Sequence, residues 1–239
     1  MNGIKVIALV MSTLIGMISG SAFAQTVPNP KRAAPPRRAS PTHQSEESDA
    51  HDSVMKFLQG LRMKELPEGK KLLAETQWIL QNFSSRPDYT EVTPIYAALF
   101  DTDVPSVKGY KELFDMKAVA EDGTARNLKY LVISFKDTIA GKWKILFAGF
   151  GVDIDASVEA FKNNLADTRY LSSKENYAIY GKWLLCAGRI KEARSALETA
   201  QTASDLSPYS EPDPIHDIQI SALLDVIGRV VPKAVGNKQ

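Results

Sequence analysis

The sequence predicts an α+β fold, in which helices pack on a small antiparallel three-stranded meander and are followed by an all-helical region. Apolar residues recur at helical spacing from Val54 onward, which indicates amphipathic helices. Residues 128–135 and 143–150 are rich in aromatic and β-branched side chains, as is typical of strands. An apolar content of 44% is enough to form a globular core.

The first 24 residues have the pattern of a secretory signal peptide. Lys5 precedes an apolar run over residues 6–18, and Ala22 and Ala24 are small enough for the pockets of signal peptidase. This predicts cleavage before Gln25. An uncleaved anchor is the alternative, but the run is shorter than the about 20 residues that a spanning helix needs. We therefore expect a periplasmic or secreted protein, and no later segment is long and apolar enough to span a membrane.

Residues 25–50 differ in composition from the rest of the chain. They are rich in proline, serine, threonine and alanine and carry almost no large apolar side chain. Such a segment cannot bury enough surface to offset the entropy of ordering, so it predicts a disordered linker. Arg37 and Arg38 could contact an anionic envelope surface weakly, or the segment could be a simple solvated tether.

Charge and cysteine content limit the possible partners and cross-links. The whole chain has a formal charge of +1, and the mature chain is close to neutral because the signal contains Lys5 and no acid. This balance gives no electrostatic reason to expect nucleic-acid binding. Cys186 is the only cysteine, so no intramolecular disulfide can form. It is either a buried helical residue or an exposed thiol that reacts or dimerises the protein.

Residues 51–166 are predicted to form a small α+β domain that begins with helices. Asp52 is placed as the N-cap of a first helix, and Pro67 ends that run. A second helical pattern covers residues 72–83. Thr93 and Pro94 resemble an N-cap followed by a proline at the first helical position, which predicts a short helix over residues 95–100.

The meander is predicted from three strands at residues 113–120, 128–135 and 143–150. Asp122-Gly123 is a strong hairpin signal because a tight turn needs positive φ at both central residues. Residues 137–141 suit the second connection. Asp155 is then expected to cap a helix that closes the domain.

This order of elements is loosely similar to the cystatin-like and NTF2-like families, although no motif supports the similarity. It implies a helix packed under the sheet. A ligand-binding role would then need a cavity whose lining is formed by Tyr130, Val132, Trp143 and Ile145.

Residues 167–239 form the predicted C-terminal helical region. Ser172 and Glu175 have the spacing of a capping box. After them comes a series of large, apolar and small residues that resembles one tetratricopeptide repeat (TPR). This series consists of Tyr177, Gly181, Leu184, Gly188, Ala193, Leu197 and Ala200.

The TPR resemblance covers about one repeat, and its terminal proline is displaced to Pro208. It implies that Gly181 meets Ala193 where two helices cross closely. It also implies that one face of the first helix binds a protein partner, and a last helix over residues 215–231 is expected to cap the pair. The implied partner-binding residues are Glu175, Ala178, Lys182 and Leu185.

No catalytic, metal-binding or cofactor-binding residue is predicted. His43, His51 and His216 have no partner at metal-ligand spacing, and neither a nucleophile elbow nor a phosphate-binding loop occurs. The sequence therefore predicts an exported, non-enzymatic protein of a bacterial-type cell envelope that binds another protein through its TPR-like region. The alternatives are a small-ligand-binding α+β domain and an enzyme whose residues meet only in the fold.

Overall fold

A computed structural model describes residues 41–78, 88–119, 123–169, 171–206 and 214–232. These residues belong to a single compact unit, Ala39–Gln239, and contain six helices and four strands. In chain order the elements are α1 Pro41–Arg62, α2 Pro67–Thr76, β1 Asp88–Asp101, β2 Lys108–Val119, β3 Ala125–Asp137, β4 Lys142–Phe150, α3 Ile154–Asn164, α4 Ser173–Cys186, α5 Ile190–Thr202 and α6 Pro214–Val230. The predicted signal peptide, and Arg37 and Arg38 of the predicted linker, lie outside the described residues.

Helix α1 begins well before its predicted start. Residues 41–50 are helical and Ala50 is fully buried, so the prediction of a disordered linker as far as residue 50 is wrong for this stretch. Asp52 accordingly lies inside the helix and not at its N-cap. The buried face of α1 is formed by Ala50, Val54 and Phe57 at helical spacing, and their packing anchors the polar turns before them.

The sheet has four antiparallel strands in the order β1-β2-β3-β4, which corrects the predicted three-stranded meander. The α+β class itself fits. Residues 95–100 belong to strand β1 and do not form the predicted short helix. Pro94 is tolerated because β1 is an edge strand and the register shifts between Pro94 and Tyr96. A missing N–H costs least at such a bulge on an edge.

Apolar residues on one face of the sheet pack against α1. Alternation along β2 turns Tyr110, Glu112, Phe114 and Met116 to this side, and all four are buried. The residues proposed as a cavity lining lie in the same buried cluster as Val54 and Phe57 of α1. These lining residues are Tyr130, Val132, Trp143 and Ile145.

The opposite face of the sheet packs against the C-terminal helices. Phe135 and Phe147 share one apolar core with Leu184 of α4, Leu197 of α5 and Ile227 of α6. The domain boundary predicted between residues 166 and 167 therefore falls inside a common core.

The β3–β4 hairpin is closed by a buried carboxylate. Asp137 accepts hydrogen bonds at 3.0 Å from the backbone amides of both Ile139 and Ala140, and the guanidinium of Arg229 in α6 also donates to it. The amide of Thr138 donates to the carbonyl oxygen of Arg229 at 2.9 Å. Together these bonds attach the last turn of α6 to the hairpin.

Helices α4 and α5 form a closely packed antiparallel pair. The predicted capping box is present, because Ser172 accepts from the amide of Glu175 and the Glu175 carboxylate accepts from the amide of Ser172. A Cβ atom at Gly181 would lie only 2.7 Å from Cγ of Leu197 and 3.3 Å from the carbonyl oxygen of Ala193. Glycine at residue 181 is therefore what allows the two helices to approach this closely.

The first turn of α5 is capped from a distant part of the chain. Its own N-cap residue, Arg189, makes no side-chain capping bond. Asp103, in the connection between β1 and β2, instead accepts from the amides of Ile190 at 2.8 Å and Lys191 at 3.0 Å. This cap attaches the helical pair to the sheet.

The structure bears on three further predictions. Helix α3 is capped by Asp153, which accepts from the amide of Ala156, and not by Asp155. Cys186 is the buried helical residue of the two alternatives. Among the described residues, no helix is long and apolar enough to cross a membrane.

Candidate functional site

The most unusual polar residue of the described core is Glu112. The alternation of β2 places it between Tyr110 and Phe114 on the face covered by α1, and its side chain is only 1% exposed. A carboxylate in such a position is costly to ionise unless it is paired and hydrogen-bonded. The charge state of Glu112 therefore depends on the groups that hydrogen-bond to it.

Two donors from different elements reach the Glu112 carboxylate. Nδ1 of His51 in α1 lies 2.9 Å from Oε1 and 3.2 Å from Oε2. The hydroxyl of Tyr110 donates to Oε2 at 3.0 Å. A carboxylate can only accept, so Nδ1 of His51 carries a proton when Glu112 is ionised.

The other side of the His51 ring faces outward. Its side chain is 40% exposed, and Nε2 has no hydrogen-bond partner among the described residues. With Nδ1 protonated and bonded to Glu112, the Nε2 atom of a neutral ring is an acceptor available to solvent. This leaves a basic nitrogen, oriented by a buried carboxylate, at the edge of the core.

The surroundings of Glu112 shift its pKa above the usual value. Burial raises the pKa of Glu112, hydrogen bonds and charge from Tyr110 and His51 lower it in part, and the nearby carboxylate of Glu47 raises it again. Burial also raises the pKa of Tyr110, with a further contribution from Glu112, so the phenol keeps its proton.

Two buried polar atoms beside this cluster have no hydrogen-bond partner in the described part of the chain. They are Oγ of Ser134 and Nε1 of Trp143. Ser134 lies opposite Tyr110 in the β2–β3 register, and the Trp143 ring makes an edge contact with the Tyr110 ring at 6.2 Å between centroids. Buried donors are normally satisfied, so these two atoms mark a place where a ligand or water would be favoured.

The four predicted partner-binding residues do not form an open surface. Leu185 is fully buried and Ala178 is 9% exposed. The Glu175 carboxylate is engaged with the Ser172 amide and with Nε2 of His216 at 3.2 Å. Lys182 is half-buried against aromatic rings.

His216 belongs to a second polar cluster at the start of α4. Its Nδ1 lies 2.9 Å from Asp205, its Nε2 faces Glu175, and the Ser172 hydroxyl donates to Asp205 at 3.2 Å. Both ring nitrogens face carboxylates and neither faces the hydroxyl, so the group lacks the geometry of a nucleophilic triad. It links α4, α6 and the segment after α5.

Sequence reasoning missed the Glu112 cluster because its members come from α1 and β2, 61 residues apart. One signal was available. In the alternating series of β2, Glu112 occupies an inward position between two aromatic residues, where an apolar side chain is expected.

No metal site is formed by the described ranges, since no three histidine, cysteine or acidic side chains are grouped to hold an ion. Comparisons with protein-family models, with curated proteins and with solved structures found no match.

Proposed function

We propose that this is an exported binding protein that holds a small polar ligand at the site formed by His51, Glu112 and Tyr110. The observation that supports this most is the outward-facing Nε2 of His51, whose ring is fixed from behind by a buried carboxylate. The signal-like pattern over residues 1–24 supports a location outside the cytoplasm, where the site would meet the solutes of the envelope.

Glu112 is expected to add little to the stability of the fold. A buried charged pair is often no more stabilising than apolar residues of the same size, since both charges lose their hydration. An apolar residue at this position would suit the surrounding cluster of Phe57, Phe114 and Val132. The carboxylate is better explained by its hydrogen bond with Nδ1 of His51, which fixes the orientation of the ring.

The charge of the site indicates the class of ligand. Glu47 and Glu112 supply negative charge, while a neutral Nε2 of His51 supplies an acceptor. A ligand that carries N–H or O–H donors, neutral or cationic, fits these groups. An anion would be repelled by the two carboxylates.

A fragment screen by nuclear magnetic resonance tests this proposal. The mature protein is titrated with small amines, amides and alcohols while the imidazole signals of His51 are followed. We expect fragments that shift His51 to bind at least about tenfold more weakly to Glu112→Gln, which loses the carboxylate that orients the ring, and to His51→Asn, which loses the Nε2 acceptor.

The matched control is Glu198→Gln, a change of the same chemistry on the exposed face of α5. It should bind the fragments as the wild type does. If no fragment shifts His51, or if all three variants bind equally well, the cluster is a structural ion pair and the proposal is wrong.

A protein partner remains a second candidate, on a different surface from the predicted one. The outer edge of β1 pairs with no strand in the described part of the chain, and Ile95 and Tyr96 on this strand are 44% and 51% exposed. An edge strand with exposed apolar side chains can accept an added strand.

Pull-down from envelope extract distinguishes this second candidate. A specific partner should be lost with Tyr96→Asp and kept with Leu206→Asp, which changes an even more exposed apolar residue in the segment after α5. Loss with both variants, or with neither, would argue against binding at β1.

A further inference from the structure

Lys182 has no acidic partner among the residues that the structure describes. Its ammonium lies 5.6 Å from the centroid of the Phe147 ring and 5.8 Å from that of Trp183. No carboxylate or carbonyl among the described residues accepts a hydrogen bond from it. Aromatic faces attract a cation, but they replace its hydration less completely than an ion pair does.

The nearest titratable group adds no compensating charge. Cys186 lies one helical turn after Lys182, and burial raises the pKa of its thiol to about 12. The sulfur therefore stays protonated at neutral pH and cannot act as a counter-ion. Burial also lowers the pKa of Lys182, which increases the fraction of neutral amine.

Lys174 on the same helix shows the usual arrangement. Its side chain is 11% exposed, and its ammonium lies 2.9 Å from Oδ1 of Asp217. Neither lysine is fully exposed, but among the described residues only Lys174 has a carboxylate partner. The absence of a partner at Lys182 is therefore a local property and not a consequence of burial in α4.

We propose that the Lys182 side chain is a nucleophilic amine that condenses with an aldehyde or ketone carrying an aromatic group. The Nζ lone pair attacks the carbonyl carbon, and proton transfer gives a carbinolamine. Loss of water then forms the imine. The rings of Phe147 and Trp183 would pack on the aromatic part, and the buried Nε1 of Trp183 is a donor that has no partner among the described residues.

Lys182 is half-buried, so the test asks whether a small reagent reaches its amine in the folded protein. Benzaldehyde is the probe. It is added to the folded mature protein at pH 7 with cyanoborohydride, which delivers hydride to the imine carbon and fixes the adduct as a secondary amine. Peptide mass spectrometry then gives the rate of modification at each lysine.

We expect Lys182 to be modified faster than Lys174, since burial lowers the pKa of Lys182 and so raises its fraction of free amine, while the ammonium of Lys174 is held by Asp217. Lys182→Arg keeps a cation over the two rings and should lose the adduct, while Lys174→Arg should keep it. This site is independent of His51, and its adduct should form equally in Glu112→Gln.

A rate at Lys182 equal to or below that at Lys174 would overturn the proposal. So would modification at Lys182 that appears only after unfolding in urea. The comparison is made within the wild-type chain, so it does not depend on whether either variant folds.

Discussion

Glu112 and Asp137 are two buried carboxylates on one sheet, and their environments shift their pKa values in opposite directions. Glu112 is 1% exposed and Asp137 is 0% exposed. Burial acts to raise the pKa of both groups. For Glu112 burial prevails, whereas hydrogen bonds from the amides of Ala140 and Ile139 and from Arg229 hold the pKa of Asp137 below its usual range.

The difference lies in the donors. Asp137 faces two backbone amides whose positions are fixed by the turn, a guanidinium, and the ammonium of Lys144 at 4.0 Å. Glu112 has a phenol and a half-exposed imidazole, with Glu47 adding negative charge. The donors around Asp137 thus stabilise its negative charge. The donors around Glu112 stabilise its charge less completely, so a proton or a bound ligand would add to them.

Removal of the Asp137 carboxylate should have the largest effect. Asp137→Ala leaves Arg229 and two hairpin amides without their acceptor. Loss of one partner of a buried pair costs about 3–5 kcal/mol, and we expect about 3 kcal/mol because Arg229 is 32% exposed. Urea unfolding at pH 7 measures this, and a loss below about 1 kcal/mol would contradict the structural role given to Asp137.

Removal of the opposite partner should cost less. Arg229→Met leaves Asp137 with its two amide donors, and a hydrogen bond to a charged group is worth about 1.5–3 kcal/mol. We expect about 1.5 kcal/mol by urea unfolding, since the arginine is partly hydrated. A cost above that of Asp137→Ala would show that Arg229 acts through packing on Trp78, whose ring centroid lies 5.5 Å from its Cζ atom.

The pH dependence of stability should have opposite signs at the two sites. Because the pKa of Asp137 is lowered in the folded protein, its contribution is present above the unfolded pKa and is lost as pH falls through the folded pKa. Because the pKa of Glu112 is raised, its contribution is complete below the unfolded pKa and is lost as pH rises through the folded pKa.

Unfolding of the wild type, Asp137→Ala and Glu112→Gln over a pH series checks both signs. The advantage of the wild type over Asp137→Ala should shrink in acid. Its advantage over Glu112→Gln should shrink as the pH rises. Parallel slopes for the two variants would remove the distinction between the sites.

The smallest effect on stability is expected from Glu112→Gln at pH 7. The amide can still bond to Tyr110 and His51, and the ionisation cost disappears, so the free energy of unfolding should change by less than about 1 kcal/mol. A loss comparable to that of Asp137→Ala would mean that Glu112 is needed for the fold, which would weaken its assignment to a binding site.

The sequence predicted the α+β class and three of the four strands, because alternation and turn residues are local signals. It missed β1, where Thr93-Pro94 imitates a helix start and only pairing with β2 explains the extended backbone. It also missed the first turns of α1, whose residues are polar. Their helical state depends on packing farther along the helix, at Val54 and Phe57.

The candidate site was less accessible to prediction. The capping box at Ser172 is local, and it was found. The face of α4 with Ala178 and Leu185 was predicted to bind a partner, but periodicity does not say what covers a face, and here the protein's own core covers these two residues. Glu112 and His51 meet only when α1 crosses the sheet.

The remote cap at the start of α5 limits how modular this chain can be. A helical repeat that supplies its own capping residues can be excised or duplicated, since each copy brings its boundary with it. Here the residue that caps α5 is Asp103, which precedes Ile190 by 87 positions and lies in the connection between β1 and β2. Closing so long a loop is entropically costly and slows folding. A transplanted α4–α5 pair would therefore begin its second helix without this cap.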